Sequence, residues 1–210
     1  MNLDNNFPAS LQVLMFLGSA TLAGILVLVI IYGAIQRRTW VKWPAMGLVI
    51  GVIIYMGLLV LFSGVSNERT LARGQEKYFC EIDCHLAYSV VDVKELGTAD
   101  GARDFAVTIR TRFDESTISA QRPKNAPLMP NPRKVQLVDR SGKTYAAGPV
   151  EGVPLETPLI PGQSYTTTIK FEVPQNTEGL RLLITAPGGP VEWLIGNEMS
   201  LGHKKTYMAL

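Results

Sequence analysis

The sequence predicts a membrane-anchored all-β protein: an N-terminal two-helix transmembrane hairpin followed by an antiparallel β-sandwich. Three observations carry this reading. Residues 5–36 and 43–67 hold no charged side chain, and each contains an apolar run as long as the ~20 residues a hydrocarbon core requires. Residues 66–210 alternate apolar and polar side chains with period two in several short stretches. Turn-forming clusters separate those stretches, and none of them keeps a helical period over the length of an ordinary helix.

The first domain, residues 1–65, is expected to place its helices at about residues 11–35 and 45–65. No basic segment precedes the first apolar run and no small-residue cleavage site follows it, so both helices are read as uncleaved spans. The loop at residues 37–43 carries Arg37, Arg38 and Lys42, whereas the N-terminal tail carries only Asp4. This asymmetry places the loop in the cytoplasm, with Trp40 and Trp43 as interface anchors. Arg69, Arg73 and Lys77 lie on the other side, before a long domain where the charge rule has little force. Both termini and the soluble domain are therefore expected on the periplasmic or extracellular side of the cytoplasmic membrane, where a disulfide can persist. Ala20 and Gly24 in the first helix, and Gly47 and Gly51 in the second, allow close backbone approach. They serve either to pack one helix on the other or to dock both into a larger assembly. Neither span holds an ionisable group that would mark an ion or proton path.

The second domain, residues 66–210, is electrically neutral. Of the chain's 20 basic residues three lie in the loop, and of its 18 acidic residues only Asp4 lies outside this domain. With no run of Lys or Arg, binding to nucleic acid has no electrostatic support. Phe105, Val107, Ile109, Thr111 and Phe113 alternate with Ala106, Thr108, Arg110 and Arg112. Residues 135–138 and 143–146 flank Asp139-Arg140-Ser141-Gly142, a hairpin pattern. Tyr165, Thr167, Ile169, Phe171 and Val173 alternate with Thr166, Thr168, Lys170 and Glu172. A short apolar run at residues 180–185 ends at Ala186-Pro187-Gly188-Gly189-Pro190. About seven short strands are expected in all.

Both cysteines and one of two histidines fall in Tyr78-Phe79-Cys80-Glu81-Ile82-Asp83-Cys84-His85-Leu86-Ala87-Tyr88. Read as one strand, Tyr78, Cys80, Ile82, Cys84, Leu86, Tyr88 and Val90 share an apolar face, with Glu81, Asp83, His85 and Ser89 on the other. The cysteine Cα atoms would then lie about 13 Å apart, beyond the reach of a disulfide. Read as a turn, the same spacing brings Cys80 and Cys84 together for a disulfide or a metal, with His85 beside them. The two readings share one firm expectation, a strand over residues 86–93 with Leu86, Tyr88 and Val90 facing the core.

Two family resemblances bear on the domain. Leu159-Ile160-Pro161-Gly162-Gln163-Ser164, the stretch Tyr165 to Val173, then Pro174 and Gly179-Leu180-Arg181-Leu182, looks like the second half of telokin-like, immunoglobulin-like bacterial domains. That resemblance implies an exported immunoglobulin-like β-sandwich without known catalysis, and it carries over no functional residue. The Cys-x3-Cys spacing, together with two N-terminal helices and an external β domain, resembles cytochrome oxidase subunit II; the spacing alone also resembles Sco-type chaperones. In those families the cysteines carry copper. Subunit II has its copper loop late in the β domain, as Cys-x3-Cys-x3-His-x2-Met, whereas here the cysteines come first and His85 follows Cys84 directly. The likeness to subunit II is therefore one of layout.

The remaining features are few. The connection at residues 113–133 is polar and holds Pro123, Pro127, Pro130 and Pro132, with Leu128 and Met129 near its middle; it serves as a solvated loop or as a contact arm for a partner. His203, in the C-terminal tail, would join Cys80, Cys84 and His85 as a metal set, with Met199 or Met208 as further soft ligands suited to copper. No phosphate loop, nucleophile elbow or triad pattern is present, so no catalytic residue and no obligatory cofactor is expected. The expected role is an accessory or interaction subunit of a membrane complex, respiratory or photosynthetic, whose partners are lipid and other membrane subunits. The alternative is a copper-binding or electron-transfer domain.

Overall fold

The computed structural model describes residues 9–79, 85–99 and 101–210. Residues 68–187 and 205–210 form one compact unit, and the helical hairpin with residues 188–204 forms another.

In the hairpin unit, α1 spans Ala9–Ile35 and α2 spans Lys42–Gly64. Both are long and apolar enough to cross a membrane. A tight reversal joins them: Arg37 adopts a left-handed φ of 52°, and Thr39–Val41 form a 3-10 turn. Gly33 makes this reversal possible, because a Cβ there would stand 2.5 Å from Val41 Cγ2 and 3.0 Å from the Trp40 ring. Gly24, Gly47 and Gly51 behave differently, since a Cβ added at any of them meets nothing within 4 Å. The small-residue spacing therefore does not pack the two helices on each other; Gln12, Gly33, Leu59 and Ser63 are the residues buried within the helices.

The other unit is a two-sheet sandwich. Its strands are β1 (Arg69–Leu71), β2 (Lys77–Phe79), β3 (Leu86–Ala99), β4 (Ala102–Phe113), β5 (Lys134–Val138), β6 (Thr144–Ala146), β7 (Val150–Gly152), β8 (Ser164–Pro174), β9 (Arg181–Thr185) and β10 (Thr206–Ala209). One sheet runs β1-β10-β9-β5-β6 and the other β2-β3-β4-β8-β7. Period-two patterning selects the inner faces. Phe105, Val107, Ile109 and Phe113 of β4 meet Ile169, Phe171 and Val173 of β8, Leu137 of β5, and Leu182 and Ile184 of β9 in the core. Burial of each such side chain contributes about 1.5–3 kcal/mol. The expected hairpin between β5 and β6 forms around Asp139, whose carboxylate accepts from the Ser141 and Lys143 amides at 2.8 and 3.0 Å. Pro161 and Gly162 fill the centre of a turn closed by Gln163 N donating to Ile160 O at 3.0 Å. Gly162 sits there at φ 83°, a conformation that favours glycine.

Four expectations need correction. Ten strands form among the described residues, against about seven, because β1, β2 and β7 are three residues long and too short to show a period. The sandwich is not wholly antiparallel: β1 runs parallel to β10, an arrangement open to strands far apart in sequence. The single straight strand expected from Tyr78 to Val90 does not hold at its described ends, residues 80–84 lying outside the described residues. Phe79 and Leu86 instead face each other across the antiparallel pair β2–β3, so Lys77 and Phe79 turn inward and Tyr78 turns outward. The inward-facing parity thus switches from odd positions at Lys77 and Phe79 to even ones at Leu86, Tyr88 and Val90, which one straight strand cannot do. Finally, β3 is not half-buried at its start. Leu86, Tyr88 and Val90 are buried as expected, but so are His85, Ala87 and Ser89.

Candidate functional site

The burial of Ala87 and Ser89 leads to a polar network on the outer face of the β2-β3-β4 sheet. The register aligns Tyr78, Ala87 and Arg112 in one row and Ser89 with Arg110 in the next, and period two puts these side chains on the same face. Glu76 lies two residues before Tyr78 and joins that face. Arg112 grips Glu76 with two parallel bonds, Nε to Oε1 at 2.8 Å and Nη2 to Oε2 at 2.6 Å. The same Nη2 reaches Asp114 Oδ2 at 3.2 Å. The Tyr78 hydroxyl lies 2.6 Å from Asp114 Oδ2, and Arg110 approaches Glu76 at 3.3 Å. Asp114 also caps the 3-10 turn Glu115–Thr117 by accepting from the Ser116 amide and hydroxyl.

The electrostatics follow from these contacts. The bond to Arg112 holds the Glu76 carboxyl below its ordinary range. The Tyr78 hydroxyl does the same for Asp114, aided by Ser116 and Arg112. Burial and the Asp114 bond push the Tyr78 phenol up, and the Glu76 bond raises Arg112. Two acids and two arginines thus balance in charge, and the shifts of Glu76, Asp114, Tyr78 and Arg112 all lead away from the neutral range. The arrangement is suited to locking strands together rather than to moving protons.

A second cluster frames the ends from which residues 80–84 depart. His85 is buried, stacks on Phe113 with ring centroids 5.5 Å apart and pairs its Nδ1 with Thr117 Oγ1 at 2.7 Å. The Thr117 hydroxyl gives its single proton to Asp114 O, so His85 Nδ1 carries the proton and donates. The 113–133 connection supplies Thr117 and also Arg122, whose guanidinium lies 5.5 Å from the Phe113 ring. Arg133, at its end, stacks 4.4 Å over Phe79. The connection is pinned in its middle by Leu128, which exchanges two backbone bonds with Leu159 at 2.9 and 3.1 Å. Met129 beside it is two-thirds exposed.

Of the expected metal set, Cys80 and Cys84 lie outside the described residues. His85 belongs to the sandwich unit and His203 to the hairpin unit, where His203 Nδ1 bonds the Lys204 carbonyl at 2.7 Å. Met199 lies in the hairpin unit, and Met208 is buried in β10. Among the described residues no three His, Cys, Asp or Glu side chains are grouped to hold a metal. The outer-face network was missed in the sequence. Its one visible signal was the run Arg110-x-Arg112-x-Asp114, three charges with the period of a single strand face.

These features define a class: a two-sheet β-sandwich joined to two apolar N-terminal helices. Two solved structures are similar to part of the chain. One is an uncharacterized beta-sandwich protein from Clostridium difficile 630, 8% identical, covering 68% of this chain and 95% of its own, with a TM-score of 0.38. The other is a conserved hypothetical protein from Bacillus anthracis, 11% identical, covering 55% of this chain and 88% of its own, with a TM-score of 0.37. No protein-family description matches the sequence, and no curated protein does.

Proposed function

We propose that this chain is a non-catalytic accessory or interaction subunit of a larger membrane complex. In this reading α1 and α2 cross the cytoplasmic membrane, with Arg37, Arg38 and Lys42 retained inside. The sandwich then stands on the periplasmic or extracellular side. The observation that carries the reading is the direction of the small-residue faces. Gly24 on α1 and Gly47 and Gly51 on α2 have open space where a Cβ would project. Their partner is therefore not the other helix of the hairpin, and in a bilayer such faces let a neighbouring helix backbone approach closely. The neutral sandwich with its closed ionic network fits a scaffold role, because its charges satisfy one another. The test is extraction in mild detergent followed by native mass measurement of the full chain and of Gly47→Ile/Gly51→Ile. The expected result is a co-purifying membrane partner that the double variant loses. A monomeric wild-type chain with no partner would overturn the proposal.

A further inference from the structure

The segment Gly188–Lys204 groups with the helices and not with the sandwich, and its contacts take up Gln12 and Ser63, the buried polar side chains of the two helices among the described residues. Gln12 of α1 donates to Gly196 O at 3.2 Å and accepts from Asn197 Nδ2 at 3.0 Å. Tyr55 of α2 donates to Trp193 O at 2.6 Å. Ser63, at the end of α2, donates to Leu201 O at 2.7 Å. Tyr55 precedes Ser63 by eight residues, about 12 Å along the helix axis, a distance partly spanned by the phenol itself. Trp193 is thus held alongside the body of α2, below its outer end.

The segment also pairs much of its own backbone. Pro190–Trp193 form a 3-10 turn. The amides of Leu194, Asn197, Ser200, Leu201 and His203 donate to carbonyls within the segment, and Met199 N donates to Asn197 Oδ1. The Ser200 hydroxyl bonds Leu194 O. Non-helical backbone survives next to hydrocarbon only when its polar groups are paired in this way. Leu194 and Ile195 turn inward, while Trp193 and Leu201 stay 45% and 61% exposed on the surface continuous with the lipid-facing helices. Glu192, Glu198 and Lys204 limit the depth, since charged groups belong at the headgroups.

We propose that Gly188–Lys204 is a membrane-interface element that dips into the outer leaflet, with Trp193 and Leu201 in contact with acyl chains. The proposal rests on the membrane-spanning reading of α1 and α2 and not on a partner complex. It assigns a third lipid contact to the chain, in which Trp193 anchors the outer side as Trp40 and Trp43 anchor the inner one.

The test uses the full chain, purified and reconstituted at high dilution in vesicles with or without bromine-labelled acyl chains. Trp40→Phe/Trp43→Phe leaves Trp193 as the sole tryptophan, and Trp40→Phe/Trp193→Phe leaves Trp43. The expected result is that both variants emit in the blue and lose about half or more of their emission to bromines 5–10 Å below the headgroups, the depth of an interfacial segment. Acrylamide in water should quench Trp193 only weakly. Quenching of Trp43 with a water-exposed, bromine-insensitive Trp193 overturns the inference while leaving the hairpin in the membrane. Quenching of neither overturns the membrane reading too. The difference spectrum between the wild-type chain and Trp193→Phe gives the same answer without altering the inner anchors.

Discussion

Lys77 donates its ammonium to the carbonyl oxygen of Thr206 at 2.9 Å, from within the core of the sandwich. Only 1% of the lysine is exposed, and the same nitrogen reaches Ile184 O at 3.2 Å. Lys77 belongs to one sheet, and Ile184 and Thr206 belong to the other. The side chain therefore ties the two layers, with its charge 5.1 Å from the Phe79 ring. Its long aliphatic stem fills volume as well. Lys77→Met keeps most of that volume and loses the bonds, whereas Lys77→Ala also opens a cavity. Lys77→Ala is expected to cost about 2–3 kcal/mol more than Lys77→Met. Chemical denaturation of both variants of the full chain in detergent, followed by far-ultraviolet circular dichroism, checks this. Equal midpoints would show that the stem packs against nothing that matters.

Arg112 is the hub of the outer-face network, so its loss leaves Glu76 and Asp114 without their shared cation. Arg112→Leu is expected to lower stability by about 2–3 kcal/mol, the scale of hydrogen bonds to charged groups. Arg112→Lys should restore only part, because one ammonium cannot reproduce the parallel fork on Glu76. An Arg112→Leu chain within experimental error of the wild type would reduce the network to surface decoration.

Acid should loosen the same network. Glu76 and Asp114 titrate below their ordinary values of 4.5 and 3.8 in the folded chain. A depressed carboxyl contributes stability that is complete above the unfolded value and is lost as pH falls through the folded one. Stability is therefore expected to fall as pH drops from about 5 toward 2. The fall should be shallower in Glu76→Gln/Asp114→Asn, which has nothing left there to protonate. Parallel acid profiles for wild type and double variant would remove these carboxyls as the cause.

The alternating stretches of β4 and β8 were legible because one face of each is buried and the other is not. The Asp139 turn and the Pro161-Gly162 turn were legible from local chemistry. The edges were not: β1, β2 and β7 hold three residues each, too few for a period to show. Tyr78 illustrates the limit. Its aromatic ring suits a core position, yet its partners Arg112, Asp114 and Glu76 come from a separate strand and from loop residues, and only the register brings them together. The role of residues 188–204 was hidden for a similar reason. Trp193, Leu194 and Ile195 read as an ordinary apolar stretch until Tyr55 is seen to bond Trp193 O, Gln12 to bond Gly196 O and Ser63 to bond Leu201 O.

At alkaline pH a different residue responds. Burial pushes the Tyr165 phenol up to about 12, and its hydroxyl donates to Leu155 O at 2.5 Å. A raised folded value means that the protonated form is favoured by folding. That contribution is complete below the ordinary value of 10.0 and is lost as pH rises toward 12. Tyrosinate absorbance is expected to show a late-titrating component that Tyr165→Phe removes, and the variant should lose less stability between pH 10 and 12. A Tyr165 signal that titrates with exposed tyrosines would contradict the half-buried placement.

The tautomer of His85 can be read directly. Thr117 Oγ1 sits 2.7 Å from both His85 Nδ1 and Asp114 O. A carbonyl can only accept, so the hydroxyl proton goes to Asp114 and the histidine must donate through Nδ1. His203 also donates through Nδ1, here to the Lys204 carbonyl, so both histidines of the chain are expected as Nδ1–H forms when neutral. Long-range proton–nitrogen correlation spectra of the detergent-solubilised chain distinguish the two tautomers by their nitrogen shifts. Thr117→Val removes the partner of His85 alone, so one of the two patterns should move and the other should stay. The lone pair of the neutral His85 ring then lies on Nε2. A Thr117-dependent histidine found as the Nε2–H tautomer would reverse the hydrogen-bond chain from His85 to Asp114.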